Sequence, residues 1–322
     1  MRVLVTGASG FLGAHVVRSL LRAGDEVRAL VREDRPRNHI RKLGVEFCEG
    51  DLLDDGLAER ACEGIDAVLH CASLISYWAR QRKQLRAVNV DGTMRLLHAA
   101  NAAGVGRFVH VSSAATVGAT RSGEVLDEAT AWIPEEALSE YAATKREGEQ
   151  RVLAAAWGGL PALVINPSLI LGPRLDGLPP SPLVVGIQRG RLPWVPPGGV
   201  SVTDVTDVAD TAVRALRQGR AGQRYLLAGH NVTWAQLYES IAENADGRVP
   251  RKKLGPKRLS WLRLQAGAKD TLRLSRPPFT AELYRSYGTY SWFTSQKAEH
   301  ELDYEVRPLV RIVRHAIRRE AP

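Results

Sequence analysis

The sequence predicts a doubly wound α/β fold, in which helices cover both faces of a parallel sheet and a smaller C-terminal lobe is appended. Three observations lead to this prediction. A glycine-rich turn follows the first apolar run, strand-like and helix-like segments alternate over the first half, and prolines become frequent after Leu171. A chain of 322 residues is also longer than one compact core usually reaches, which is consistent with an appended lobe.

The first predicted element is a strand that runs into a helix. Residues 3–5 form a short buried-strand pattern, and apolar residues recur at helical spacing over residues 11–21. Gly7, Gly10 and Gly13 lie in the turn, where missing Cβ atoms let the backbone approach a ligand and the N–H groups of a helix start favour an anion. The turn therefore predicts a phosphate site, with packing of strand against helix as the alternative reason for the glycines.

Further strands and helices follow in alternation. Strands are predicted at residues 26–31, 45–48, 67–71, 107–112, 162–166 and 225–227. Helices are predicted at residues 139–153, with Ser139 as a possible cap, and at residues 204–216. The predicted domains are a dinucleotide-binding domain of residues 1–170 and 201–229 and a substrate-binding lobe of residues 171–200 and 230–322.

A tyrosine and a lysine are spaced for joint chemistry on one predicted helix. Tyr141 and Lys145 stand at i and i+4, so that the phenol and the ammonium share a helix face. A cation beside a phenol lowers its pKa, and such a pair could pass a proton to or from a substrate oxygen. The spacing is common on exposed helices, but here it accompanies the glycine turn and two hydroxyls, Ser112 and Ser113, at the end of a predicted central strand.

These motifs together resemble the extended short-chain dehydrogenases/reductases, which have a Rossmann fold. Residues 6–13 match the T-G-x-x-G-x-x-G motif of that superfamily, and residues 141–145 match its Y-x-x-x-K motif. Further segments are similar to family motifs in the expected order: residues 50–52, 70–73, 89–93, 165–168 and 172–173. The resemblance covers nearly the whole chain and says much less about the substrate.

The resemblance implies roles for individual residues. Tyr141 would be the catalytic acid, Lys145 would hold the ribose hydroxyls and depress the pKa of the tyrosine, and Ser113 would polarise the substrate oxygen. Ser113 is preferred to Ser112 because the reductase branch uses the second serine of the pair. The residues expected to bind the coenzyme are Gly7, Ser9, Gly10, Phe11, Leu12, Gly13, Arg32, Asp51, Leu52, Cys71, Ala72, Ser73, Lys145, Pro167 and Ser168.

The end of the second predicted strand bears on the choice of coenzyme. An acid at this place usually binds the ribose hydroxyls of NAD, whereas an arginine accommodates the additional phosphate of NADP. Arg32 follows the strand directly, and a guanidinium can grip a phosphate with paired donors. NADP(H) is therefore the predicted coenzyme, and NAD(H) is the alternative because Glu33 and Asp34 come next.

The expected substrate is a largely apolar ketone or alcohol of lipid, terpenoid or flavonoid type. The residues expected to line its pocket are Leu74, Tyr77, Trp78, Trp132, Leu183 and Trp194. The sequence resembles the dihydroflavonol 4-reductase-like, hopanoid-associated sugar epimerase and 3β-hydroxysteroid dehydrogenase-like branches. A sugar-nucleotide epimerase or dehydratase is the first alternative, although the V-Y-G tyrosine of that group is absent at Val117-Gly118. A non-catalytic NADP-binding sensor is the second.

Composition excludes several other classes. The three cysteines, Cys48, Cys62 and Cys71, are an odd number without metal-ligand spacing, which argues against a disulfide framework and a metal site. No apolar run is long enough to span a bilayer. We therefore expect a cytoplasmic protein, and the resemblance implies a homodimer formed through helices at residues 89–103 and 141–156.

The net charge of +9 is concentrated in one segment. Residues 248–276 contain ten basic residues and a single acid, Asp270, interleaved with leucines and a tryptophan. Such a segment can be an amphipathic helix on a membrane surface, a patch for an acidic partner or a solvated helix face. Because no nucleic-acid motif accompanies the charge, we expect no nucleic-acid partner and keep peripheral membrane contact as an alternative to a purely cytoplasmic location.

Overall fold

The computed structural model describes residues 1–34, 38–131, 139–173, 175, 181–272, 274 and 280–318. The strands in this part of the chain are β1 (Arg2–Thr6), β2 (Glu26–Val31), β3 (Glu46–Glu49), β4 (Ala67–His70), β5 (Arg107–Val111), β6 (Ala162–Pro167), β7 (Leu169–Leu171), β8 (Gly199–Asp204), β9 (Arg224–Leu227), β10 (His230–Thr233) and β11 (Tyr290–Ser291). The α-helices are α1 (Phe11–Arg22), α2 (Asn38–Arg41), α3 (Leu57–Cys62), α4 (Arg82–Arg86), α5 (Thr93–Ala102), α6 (Glu140–Trp157), α7 (Pro182–Gln188), α8 (Val205–Gln218), α9 (Trp234–Asn244), α10 (Pro256–Thr271), α11 (Ala281–Ser286), α12 (Gln296–Leu302) and α13 (Leu309–Ile317).

Seven strands form one parallel sheet in the order β3-β2-β1-β4-β5-β6-β9. The chain first builds outward from β1 to β3 and then returns to place β4 on the other side of β1. The strand order therefore reverses between β1 and β4, and ligands of such sheets bind at this switch point, outside the carboxyl ends of the strands. The predicted doubly wound α/β fold is confirmed.

Helices cover both faces of this sheet because its strands carry apolar side chains on both sides. Val3 and Val5 of β1 face a core that is completed by α1 and α8. Leu4, between them, faces the opposite core, to which α3, α5 and α6 contribute. The continuous apolar run in β1 thus places side chains in both cores, as expected of a strand that is buried on both faces.

The helix that carries Tyr141 begins where the sequence predicts. The Ser139 hydroxyl accepts a hydrogen bond from the amide of Ala142 at 3.1 Å, so the predicted cap is confirmed. The helix ends at Trp157, four residues later than predicted, and Gly158 follows it. The cap fixes the first turn of α6 and therefore the backbone of Tyr141.

A second, smaller sheet lies in the C-terminal part of the fold. β8 pairs antiparallel with β10 and parallel with β7 and β11. Its core includes side chains from α7, α9 and α13. Of residues 201–229, those in β8 therefore belong to this second sheet. β9 belongs to the large sheet, and α8 packs on it. The domain division itself stays a prediction. No helix in the described ranges combines the length and apolar character that a membrane crossing needs.

Candidate active site

The glycine turn between β1 and α1 is built around close backbone approaches. Gly7 has a φ of +65°, a region that favours glycine, and a Cβ on it would press on the backbone of Ala72. A Cβ on Gly13 would clash with the carbonyl oxygen of Gly7. The amide of Gly10 donates to that same carbonyl at 2.9 Å. The turn is thus held against the end of β4, and no side-chain hydrogen bond caps the start of α1.

A cleft of about 610 Å³ opens at the carboxyl ends of β1, β2 and β4. The residues predicted to bind the coenzyme that line it are Gly7, Ser9, Gly10, Arg32, Asp51, Leu52, Cys71, Ala72 and Ser73. Phe11, Leu12 and Gly13 form the first turn of α1 directly behind it. Pro167 ends β6 and Ser168 follows, where the Ser168 hydroxyl oxygen is buried without a hydrogen-bond partner. A backbone cradle and an unsatisfied buried hydroxyl fit a dinucleotide.

Arg32 shares its part of the cleft with two carboxylates. Its Nε lies 3.3 Å from Oδ1 of Asp34, and its Nη1 lies 3.6 Å from Oδ2 of Asp51. The Arg32 side chain is one-third exposed, so these ion pairs are weak and the guanidinium can exchange partners. The arrangement offers both a phosphate-binding cation and ribose-binding acids.

The lysine predicted to be catalytic lies deep in the protein. The ammonium of Lys145 donates to the carbonyl of Val111 at 2.8 Å and lies 3.4 Å from Nε2 of His110. Burial lowers the pKa of Lys145 to about 8, with Glu149 acting in the opposite direction. These contacts fix Nζ at the end of β5.

Tyr141 is hydrogen-bonded to Ser113 at the carboxyl end of β5. Burial raises the pKa of Tyr141 well above its ordinary value, and hydrogen bonding to Ser113 and Ser73 lowers it by less. The ring of Tyr77 stands 6.4 Å from that of Tyr141 in an edge-on arrangement. Burial thus outweighs the polar neighbours, and the lowering of this pKa by Lys145 stays a prediction.

Two buried histidines, for which the sequence predicted no role of their own, lie near Lys145. The rings of His70 and His110 lie 5.1 Å apart, and His70 is hydrogen-bonded by Thr6 and Thr93 at 2.6 and 3.0 Å. Burial lowers the pKa of His70 to about 3 and that of His110 well below its ordinary value. Both rings are therefore neutral, as two groups packed beside a buried ammonium must be.

Asn89 ties the segment after β4 to α6. It lies in the π-helical stretch Ala87–Gly92, where its Oδ1 accepts from the hydroxyl of Ser73 at 3.0 Å and the amide of Leu74 at 2.8 Å. Its Nδ2 donates to the carbonyl of Leu74 at 3.0 Å and to Thr144 at 3.2 Å. These bonds fix the backbone beside the cleft and support Ser73, which interacts with Tyr141.

Glu149 forms a second buried network, again not predicted. Its Oε2 accepts hydrogen bonds from Ser112, Thr116 and Asn166 at 2.7, 2.8 and 2.7 Å. Its Oε1 lies 3.3 Å from the guanidinium of Arg224 on β9. Ser112 is thereby committed to structure, which leaves Ser113 as the hydroxyl beside Tyr141.

The residues predicted for the substrate pocket are not all brought together. Leu74 lines the cleft and Tyr77 contacts Tyr141. Leu183 packs against the core of the second sheet, and the Trp194 ring lies 6.4 Å from that of Tyr284. Trp78 follows Tyr77 with its ring beneath Arg80, and Trp132 lies outside the described residues. Leu183 and Trp194 therefore serve packing within the C-terminal part of the fold.

The chain is similar in sequence to curated proteins over more than half of its length. Over 266 residues the chain is 34% identical to sterol demethylase protein B of Methylococcus capsulatus, which covers 82% of this chain and 80% of the relative. Over 193 residues it is 33% identical to 2-alkyl-3-oxoalkanoate reductase of Stenotrophomonas maltophilia, covering 60% of this chain and 57% of that protein.

Solved structures share the fold over almost the entire chain. The crystal structure of gox2253 superposes with a TM-score of 0.85 at 32% identity and covers 98% of this chain and 96% of its own. Residues 3–228, which include the glycine turn, Ser113, Tyr141 and Lys145, match the NAD dependent epimerase/dehydratase family. With that match and this site, the chain belongs to the NAD dependent epimerase/dehydratase family, and the predicted resemblance to extended short-chain dehydrogenases/reductases is confirmed.

Proposed function

We propose that this protein is an NADP(H)-dependent reductase of a ketone on a small, largely apolar molecule, and that it can run the reverse oxidation. The observation that carries the proposal is that Tyr141 interacts both with Ser113, after β5, and with Ser73, which lines the same cleft as the glycine turn. A nicotinamide coenzyme, when bound, supplies the hydride. The protein must then position the carbonyl and deliver a proton to its oxygen.

Each residue of the site has a task in this scheme. The Ser113 hydroxyl donates to the substrate oxygen and polarises the carbonyl, while the Tyr141 hydroxyl gives its proton to the same oxygen. Lys145 holds the coenzyme ribose and stabilises the phenolate that remains on Tyr141. The buried surroundings favour the protonated phenol, so the free protein is in the state that a reduction requires.

Two features support an apolar substrate. Leu74 and the exposed side chain of Ile75 line the cleft, and the ring of Tyr77 lies against that of Tyr141. The relatives include a 2-alkyl-3-oxoalkanoate reductase and a sterol demethylase protein, names that point to ketone reduction and to sterol chemistry. Arg32 supports NADP(H), since its side chain is one-third exposed and lines the cleft.

Turnover with paired coenzymes tests the proposal. The purified protein is titrated with NADPH and NADH by fluorescence, and apolar ketones and nucleotide sugars are then screened for oxidation of the preferred coenzyme. We expect tighter binding of NADPH and turnover of an apolar ketone. Arg32→Ala should weaken NADPH at least ten-fold and leave NADH nearly unchanged, because a charge-assisted phosphate contact contributes about 1.5–3 kcal/mol.

The matched control is Arg41→Ala, which removes an exposed arginine of α2 outside the cleft lining and should change neither affinity. A preference for NADH would reject the coenzyme assignment and make Glu33 or Asp34 the ribose ligand. Coenzyme that copurifies tightly, with conversion of a nucleotide sugar and no net oxidation, would reject the reductase in favour of an epimerase.

A further inference from the structure

The outer face of α10 carries apolar side chains that the fold does not use. The helix is seated by Leu259, Leu262 and Ala266, which pack with α11 in a small separate core. On its opposite side Trp261 and Leu264 are 58% and 75% exposed. Exposure at this level is far beyond what a packed helix needs, so these residues are free for a partner.

The exposed apolar residues follow one line along the helix. Trp261, Leu264, Ala268 and Leu272 are spaced by three, four and four residues, which places them on a single face of an α-helix. Leu272, at the end of the helix, is 67% exposed, and Leu274 beyond it is 66% exposed. We call Trp261, Leu264, Ala268 and Leu272, the last of which directly follows α10, the α10 stripe. Its length is about three turns, since a turn holds 3.6 residues.

Lysines flank the α10 stripe. Lys257 precedes Trp261 by four residues, Lys269 adjoins Ala268, and Lys252 and Lys253 lie just before the helix; all four side chains are exposed. Within the described part of the chain, no salt bridge involves any of them. The acid of this segment, Asp270, accepts from the amide of Ala281 and so serves the fold.

Other arginines of the basic segment are committed to the lobe. Arg263 donates to the carbonyls of Tyr284 and Tyr287 at 3.0 and 2.7 Å, and Arg258 lies 5.2 Å above the ring of Trp194. Arg273 and Arg276 lie outside the described residues. The lysines beside the exposed stripe, together with the exposed Arg248 and Arg251 ahead of them, therefore carry the charge of this segment that faces solvent.

We propose that the α10 stripe and its flanking lysines dock on the surface of a bilayer that contains anionic lipids. Tryptophan and leucine insert at the boundary between head groups and acyl chains, and lysines are attracted to the negative surface, each by about 1 kcal/mol, or roughly five-fold in partitioning. A second copy of the chain is a poor occupant, because pairing two stripes would bring their lysines together. The proposal does not rest on the proposed function, since no residue of the α10 stripe belongs to the candidate active site.

Sedimentation of the full-length protein with lipid vesicles tests this docking. Vesicles of phosphatidylcholine alone are compared with vesicles that also contain phosphatidylglycerol, at low and at high ionic strength. We expect binding to the anionic vesicles at low salt and release at high salt. Absence of binding to anionic vesicles at low salt would overturn the proposal.

Two double variants test separately how the apolar stripe and the lysines contribute to vesicle binding. The double variant Trp261→Ser with Leu264→Ser should lower partitioning at least ten-fold, and Lys257→Gln with Lys269→Gln should lower it about ten-fold or more on anionic vesicles alone. The matched control is Trp157→Ser, which removes a tryptophan of α6 that is 88% exposed and should leave binding unchanged. Because the altered side chains are exposed, thermal unfolding should be unchanged and thereby show that the variants fold.

Two other results would contradict the inference. Equal loss of binding in Trp157→Ser would show that docking is not specific to the α10 stripe. A shift from dimer to monomer, or from larger assembly to smaller, on Trp261→Ser with Leu264→Ser and without vesicle binding by the unaltered protein would identify a second copy as the occupant. Sedimentation velocity distinguishes this last result, whereas ketone turnover reports separately on the proposed function.

Discussion

At the scale of single residues, the proposed site contains one candidate proton donor and several groups that hold it in place. Tyr141 is a buried phenol whose raised pKa keeps it protonated, and Ser113 is the hydroxyl beside it. Ser112, its neighbour in the chain, is bonded to Glu149 at 2.7 Å and cannot act on a substrate at the same time. The two adjacent serines thus face different surroundings at the end of β5, Ser112 the buried carboxylate and Ser113 the phenol.

Removal of one oxygen tests the proton donor. Tyr141→Phe should lower kcat by about 10²–10⁴-fold, the usual contribution of a positioned general acid, while the Kd of the coenzyme changes less than about two-fold. Steady-state kinetics and a binding titration measure the two quantities. Tyr225→Phe is the control, because it removes the hydroxyl of another buried tyrosine, on β9 and bonded to Glu301, away from the cleft. A Tyr141→Phe protein with the unaltered rate would remove Tyr141 from the mechanism.

The sequence predicts the residues of motifs but not their buried partners. Ser113, Tyr141 and Lys145 follow from spacing and resemblance. His110 lies in an ordinary strand pattern and Glu149 on an ordinary helix, so neither stands out until the sheet brings them to Lys145 and Arg224. The same holds for the pKa of Tyr141, which depends on how completely the fold buries the phenol.

At the scale of secondary-structure elements, Glu149 joins four of them. From α6 its carboxylate reaches Ser112 after β5, Asn166 on β6 and Arg224 on β9. A carboxylate buried to this degree is stable only because its charge is paired and its lone pairs are used. The network therefore fixes the distance between α6, which carries Tyr141, and the strand end that carries Ser113.

Truncation of the Glu149 side chain should destabilise the folded protein. Glu149→Ala leaves the nearly buried guanidinium of Arg224 without its carboxylate and removes one acceptor of the Asn166 amide, so we expect the free energy of unfolding to fall by about 3–5 kcal/mol. Urea denaturation measures the change. Glu147→Ala is the control on the same helix, since its pair with Arg86 is exposed and contributes about 0–1 kcal/mol. Equal small losses in both variants would show that the buried network does not support the fold.

At the scale of the whole molecule, the large sheet was predictable and the small one was not. Strands predicted at 26–31 and 107–112 agree with β2 and β5 to within one residue, because each is a compact apolar run with helical patterns on either side. The second sheet is made of short strands far apart in sequence, such as β7 and β11. Their pairing with β8 depends on tertiary contacts, which local periodicity does not encode.

The two sheets have separate cores, and a change in one tests whether the molecule folds as two units. Ile312 of α13 is fully buried in the core of the second sheet, so Ile312→Ala should lower the free energy of unfolding of that core by about 2–5 kcal/mol. Because the cleft is lined by residues between Gly7 and Val88, coenzyme affinity should change less than about two-fold. Ketone turnover should fall, since Ile312 belongs to the predicted substrate-binding lobe. Calorimetry and a coenzyme titration measure these effects, and Val310→Ala, at an exposed position of the same helix, should change neither. If Ile312→Ala weakens coenzyme binding as strongly as it destabilises the protein, the chain unfolds as one unit and the predicted domain division fails.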